Sequence, residues 1–152
     1  MTSSPVLADS PLRVASDLLG EVEVPGDALF EFPDGLPGFE RCRWFALVPA
    51  GREGLFWLQS CEASALVFLL ADPFHWMGRY EVEVAPAELE AIGATGPDEV
   101  AILAIVTLPQ APGESASANL RAPVLLGTSA RRGRQLVRSD ERYGVREPLA
   151  LG

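Results

Sequence analysis

Apolar and polar residues alternate with a period of two along much of the chain, in short runs that glycine and proline interrupt. Leu12 to Asp17 and Glu21 to Val24 alternate on either side of Gly20, and Leu29 and Glu31 interleave with Phe30 and Phe32. The pattern predicts a first meander of strands with one buried face. Richer apolar runs follow at Arg43 to Val48, Leu55 to Gln59 and Leu66 to Ala71, each closed by proline, glycine or a small polar cluster. They read as core strands, covered on both faces or forming a barrel wall. Tyr80 to Val84 alternates again, Pro86 to Ile92 reads as one short helix opened by its proline and ended at Gly93, and Val100 to Leu108 is the strongest remaining strand. Pro109 to Asn119 is polar and is expected to be a loop. Val124 to Leu126 and Gln135 to Arg138 then form a closing hairpin around Arg131, Arg132 and Gly133. Elements of this length and spacing make the chain all-β, with one short helix, and leave a barrel or a sandwich open.

Length and composition fit that picture. The 152 residues suffice for one domain that buries roughly 70% of its unfolded-chain surface. Residues 1 to 11, rich in Ser and Pro, read as a disordered lead-in, which leaves 12 to 149 as a single domain. The start of the chain has no basic region ahead of an apolar one, and the longest apolar run, Ala65 to Ala71, falls far short of the roughly 20 residues that cross a bilayer. A cytoplasmic protein that does not bind membrane is expected. Cys42 and Cys61 are the only cysteines and lack CxxC spacing, which points to two free thiols in a reducing compartment; a single disulfide stays open.

Charge changes the picture more. The formal net charge is -9, and every one of the twelve basic residues is arginine. Direct binding to nucleic acid is therefore disfavoured. The charge is also uneven: residues 1 to 120 carry five arginines against eighteen carboxylates, whereas residues 121 to 152 carry seven against three. An acidic body with a basic tail is either a solubilising surface or one that receives a cationic partner.

Catalytic chemistry is thin. His75 is the only histidine, so most metal sites and catalytic triads cannot be assembled. Asp72 lies three residues before it, but no second His or paired Cys completes a metal site, and no GxSxG context surrounds Ser60, Ser64 or Ser129. Glu21 with Glu23, and Glu81 with Glu83, are two apart on strands and share a face, either as solvated acid or as a docking surface. Gly35 and Gly38 do not make a dinucleotide fingerprint, and a chain without lysine has no P-loop. No cofactor, no metal and no enzymatic activity are expected. The segment Phe32-Pro33-Asp34-Gly35-Leu36-Pro37-Gly38-Phe39-Glu40 stands out, because two X-Pro steps and two glycines force tight turns while presenting three large apolar side chains. It either plugs one end of the fold with Phe32, Leu36 and Phe39 or lines a groove for a partner.

At this segment the chain resembles the FliW family, whose early signature is of the FPEGLPGFE type. Phe56-Trp57-Leu58-Gln59-Ser60 is similar to that family's F-x-W-L-Q-S strand, and Asp72-Pro73-Phe74 to its D-P-F turn. Val100 to Thr107, the block Ala118-Asn119-Leu120-Arg121-Ala122-Pro123, and the closing stretch Tyr143 to Leu149 continue the likeness in order. The resemblance implies a compact β-barrel-like fold and a flagellar assembly factor that binds newly made flagellin. When free, such a factor binds the translational regulator CsrA and relieves its repression of flagellin mRNA. An apolar groove of Phe32, Leu36, Phe39 and Phe74 is the expected site for an amphipathic flagellin helix, with Glu40 and Asp72 facing cationic CsrA residues and Trp76 as an exposed anchor. Gln59 and Asn119 are secondary candidates, better read as satisfying backbone groups, while Trp44 and Trp57 read as packing. Two alternatives stay open: a stable accessory subunit of the flagellar export apparatus, and a small hydrolase using His75.

Overall fold

Each apolar run pairs with its neighbour in sequence, through short turns at 50–54 and 61–66 and across a long connection over 72–99. The computed structural model describes residues 11–77, 80–137 and 142–151. Its strands are β1 (Leu12–Ser16), β2 (Gly20–Val24), β3 (Leu29–Glu31), β4 (Trp44–Pro49), β5 (Leu55–Ser60), β6 (Val67–Ala71), β7 (Val100–Thr107), β8 (Ala116–Gly127), β9 (Arg132–Gln135) and β10 (Glu147–Leu149). Helices α1 (Pro73–Trp76) and α2 (Pro86–Ala91) are short, and Gly26–Ala28 and Pro97–Glu99 form single 3₁₀ turns. Strands β3 to β8 pair antiparallel in chain order; β9 pairs with β8 and then, in parallel, with β3, which closes a seven-stranded barrel. The seam is narrow: Glu31 opposes Arg132, and the Glu31 amide donates to the Arg131 carbonyl at 2.9 Å. β10 adds to the first half of β8 outside the ring, and β1 with β2 forms a separate hairpin.

The inward face carries Phe30, Phe45, Leu58, Leu70, Leu103, Val124 and Leu126 in one cluster. Each such side chain removed from water contributes on the order of 1.5–3 kcal/mol. The outward face is covered as well. Val14 and Val24 of the hairpin pack on Ala46, Tyr80 and Leu149 lie with Leu69, Ala104 and Val106, and Ile92 and Ala94 cover Leu125. Coverage on both faces explains why β5 to β8 are apolar almost throughout.

Five expectations are corrected. Tyr80 to Val84 is not a strand: the segment pairs with no strand, and its alternation reflects Tyr80, Val82 and Val84 packing one-sidedly onto the outside of the barrel. A second helix, α1, stands where the sequence reads only as a turn. β8 begins at Ala116, inside the expected loop, because its buried residues there are the small Ala116 and Ala118. β10 was unexpected, its three residues including Pro148. The closing hairpin pairs through Arg132–Gln135, three residues earlier than read, and Arg138 lies outside the described residues, as does the lead-in apart from Pro11.

Candidate protein-binding site

The loop from Phe32 to Arg43 is built by its glycines. Gly35 has φ +66°, and a Cβ there would lie 2.6 Å from the Glu40 Cα, so both its handedness and the close approach of backbone require glycine. The Gly35 amide donates to the Phe32 carbonyl at 2.8 Å and the Phe39 amide to the Leu36 carbonyl at 2.7 Å, two tight turns in succession. The result divides the three apolar side chains. Phe32 is 0% exposed, edge-on to Phe45 at 5.1 Å, and Leu36 is 2% exposed. Both plug the barrel, so neither rims a groove. Phe39 is 43% exposed and rests edge-on against Phe68 at 5.7 Å. Beside it, Glu40 accepts from the Gly38 amide at 3.0 Å, and that bond, followed by its own amide, holds the carboxyl below its ordinary range.

The second corner follows β6. Asp72 caps α1 by accepting from the Phe74 amide at 2.9 Å, and its own amide donates to the Gly54 carbonyl at 2.8 Å. Gly54 has φ +81° and no room for a Cβ, which would fall within 2.8 Å of His75 and Trp76. Trp76 is therefore pinned: its indole N–H donates to the Gly54 carbonyl at 3.1 Å, and the Arg52 guanidinium lies 5.1 Å over its ring. It is half-buried, not the exposed anchor expected. Phe74 is exposed here, at 49%, as is His75 beside it, and it touches Tyr80 with ring centroids 5.7 Å apart. Tyr80 in turn donates to the Leu120 carbonyl at 2.6 Å.

The structure does not bring Phe39 and Phe74 together. Phe39 sits where β4 starts and β6 begins; Phe74 follows the end of β6. The two corners are separated by the length of β6, roughly 15–20 Å at ~3.3 Å per residue. The expected single groove of four aromatic and aliphatic side chains is thus replaced by two exposed phenylalanines, each beside a carboxylate.

The secondary candidates serve the backbone. The Gln59 side-chain amide lies 3.0–3.4 Å from the carbonyls of Ser60, Ala63, Ser64 and Leu66, and the Ser60 hydroxyl accepts from the Glu62 and Ala63 amides. Together they hold the β5–β6 turn. Asn119 Oδ1 accepts from the Arg121 and Ala122 amides at 3.2 and 3.0 Å, where β8 bends past a bulge between Leu103 and Ile105 of β7. Trp44, read as packing, is 45% exposed beside Cys61 and Leu29. The sequence concealed this because β4 covers its outward face only from Ala46 onward. Cys42 and Cys61 are both free thiols. Glu21 and Glu23 share a face as expected, and both face Arg13 at 2.9 and 3.8 Å. Among the described residues no group of three or more His, Cys, Asp or Glu side chains is placed to hold a metal. No helix among them is long and apolar enough to cross a membrane.

The family model described as FliW protein matches residues 13–149. This chain belongs to the FliW family. The flagellar assembly factor FliW of Symbiobacterium thermophilum is 41% identical over 128 residues, covering 83% of this chain and 92% of the relative. That of Natranaerobius thermophilus is 34% identical over 91% of this chain and 92% of its own length. A crystal structure of the flagellar assembly factor FliW superposes with a TM-score of 0.81 at 28% identity, covering 90% of this chain and 96% of that one. The closed barrel described above is therefore the FliW fold, and the departures from expectation at β8 and β10 lie within the matched span.

Proposed function

We propose that this FliW-family protein serves flagellar assembly in the cytoplasm by binding, without catalysis. It binds newly made flagellin and, once flagellin has been exported, binds CsrA and relieves its repression of flagellin mRNA. The observation that carries the reading is the match to the FliW family along residues 13–149. The acidic body supports it: with five arginines against eighteen carboxylates in residues 1 to 120, docking beside a basic RNA-binding surface weakens RNA binding through repulsion alone. Exposed Phe39 with Glu40, and exposed Phe74 with Asp72, each pair an apolar contact with a negative charge, which suits a partner that is both apolar and cationic. These four residues are the proposed contacts; Phe32 and Leu36 are withdrawn to the core.

The test is calorimetric titration of the purified chain with flagellin and CsrA from the same organism, first separately and then with one partner already bound. Binding of both, with flagellin displacing CsrA, is the expected result. If neither binds, the family fixes the fold of this chain and the proposed function fails.

A further inference from the structure

The first half of β7 has an unpaired edge. β6 pairs with β7 only through Leu69 to Ala71, opposite Ala104 to Val106, after which the chain leaves the sheet at Asp72 to form α1. On the other side Val100 to Leu103 pair fully with β8. The Val100 amide donates to the Pro97 carbonyl of the preceding 3₁₀ turn, and among the described residues no strand pairs with the β6 side of Val100 to Leu103. With Val100 and Ile102 turned away from β8, the Val100 carbonyl and the Ile102 amide and carbonyl are left without a strand partner, unlike the rest of the strand.

The surroundings are shaped for side chains. A cavity of about 450 Å³ is lined by all four consecutive residues from Val100 to Leu103, together with Phe56 and Phe74. Successive side chains of a strand point to opposite faces, so a cavity that touches all four must run along the edge itself. A second cavity, about 600 Å³, shares Val100 and Ile102 and continues over the outer face between Val82, Val84 and Leu89. One cavity thus opens toward the inner face, which holds Ala101 and Leu103, and the other toward the outer face, which holds Val100 and Ile102. Among the described residues the acidic side chains lining these cavities are Asp72 and Glu83, with no basic side chain beside them.

We propose that Val100 to Leu103 form a docking edge onto which an extended, cationic segment of a partner protein adds as a strand, its alternate apolar side chains entering the two cavities. The inference rests on the reading that this chain works by binding proteins, and names the surface and the chemistry of one bound segment. Backbone hydrogen bonds supply affinity, the two cavities select apolar side chains of alternate direction, and Asp72 and Glu83 select lysine or arginine at the flanks. A second copy of this chain is disfavoured on the edge, since it brings the same two carboxylates and a net charge of -9.

The test uses the full chain and a fluorescein-labelled octapeptide, Val-Ile-Val-Ile flanked on each side by two lysines. Binding is read by anisotropy and the site by hydrogen exchange. The peptide should bind and slow exchange at the Ile102 amide, within Val100 to Leu103, by about tenfold or more. Asp72→Asn, which keeps the helix cap, combined with Glu83→Gln should weaken binding several-fold at low salt and much less at high salt. Failure to bind at about 1 mM, or binding that leaves this amide unchanged, overturns the proposal. So does self-association of the free chain that protects the same amide. Flagellin and CsrA are then added under the same readout. If one of them binds without protecting the edge, the edge is not its docking site while the partner reading stands. If the peptide protects the edge but neither protein binds, the partner reading fails and the edge stands.

Discussion

Replacing Phe32 and Phe39 by alanine, one at a time, separates the two uses that a single loop makes of its aromatic residues. Phe32 is fully buried, its ring 5.1 Å from Phe45 and pressed so closely on β9 that a Cβ on Gly133 would lie 2.5 Å from Phe32 Cζ. A packed ring held between a second ring and a strand backbone leaves a cavity that cannot collapse, so Phe32→Ala should cost about 3–5 kcal/mol. Phe39 retains 43% of its exposure and makes one edge contact, with Phe68. Losing a partial burial and one ring pair should cost about 1 kcal/mol. Against a domain stability of about 5–15 kcal/mol, the first change approaches the unfolding threshold and the second does not. Urea unfolding followed by tryptophan fluorescence measures both. With a slope of about 2 kcal/mol/M, the midpoint should fall by roughly 2 M for Phe32→Ala and by about 0.5 M or less for Phe39→Ala. Equal losses for the two variants, or a loss below about 1 kcal/mol for Phe32→Ala, would refute the division of the loop into plug and surface.

Three further outcomes follow from local chemistry. Asn119→Ala removes the acceptor for two amides at the β8 bend and should cost about 1–3 kcal/mol in urea unfolding, while Asn119→Asp, which keeps an acceptor, should cost less. The Thr95 hydroxyl and then the Thr95 amide hold Glu99 below its ordinary value of 4.5; Thr95→Val should raise the Glu99 carboxyl in an NMR titration. A depressed carboxyl contributes stability that is present above its ordinary value and lost as pH falls through its folded value, so in the variant this contribution should shrink and its loss be complete at a higher pH. Although Cys61 is exposed as a residue, desolvation of its thiol, and then the neighbouring Glu62 carboxylate, push it from 9.0 up to about 11. In a Cys42→Ser background at pH 8, alkylation of Cys61 should accordingly be roughly a hundredfold slower in the folded chain than in urea. A comparable rate in both states would remove the basis for that shift.

Much of this fold was legible because its strands obey the alternation that a half-buried sheet demands. The runs at β4, β5 and β6 and the helix at Pro86 were located within a residue or two. What escaped detection has specific causes. Ala116 and Ala118 are buried by closeness to β7 and β10 rather than by bulk, so a hydrophobicity pattern overlooks the start of β8. The alternation at Tyr80 to Val84 is real but serves packing without a ladder, since periodicity reports which side is buried and not whether the backbone is paired. At the candidate site, the sequence identified both turns, FPDGLPGFE and DPF, from their glycines and prolines. It did not reveal that Gly35 turns Phe32 and Leu36 inward and leaves Phe39 outside, or that the DPF turn lies at the far end of β6. Those facts depend on three-dimensional closure of the barrel. The unpaired edge of β7 was likewise invisible, because it results from β6 ending four residues short of the start of β7.

The separation of the two corners constrains how partners can exchange. Phe39 with Glu40 and Phe74 with Asp72 stand at opposite ends of β6, roughly 15–20 Å apart, and project from different ends of the barrel. If flagellin used one corner and CsrA the other, the two would have little reason to exclude each other, and a ternary complex would form. Displacement of one by the other therefore requires a shared corner. The corner at Asp72 and Phe74 adjoins the open edge of β7 and its two cavities, and so offers more contact than the one at Phe39. Phe74→Ala should consequently weaken both partners by about 1–3 kcal/mol in calorimetry, whereas Phe39→Ala should leave at least one of them unchanged. Size-exclusion chromatography of the chain with both partners should then show two binary complexes and no ternary one. A ternary complex, with Phe39→Ala weakening one partner and Phe74→Ala the other, would mean that the corners act independently and that this chain does not couple flagellin export to CsrA by exchange.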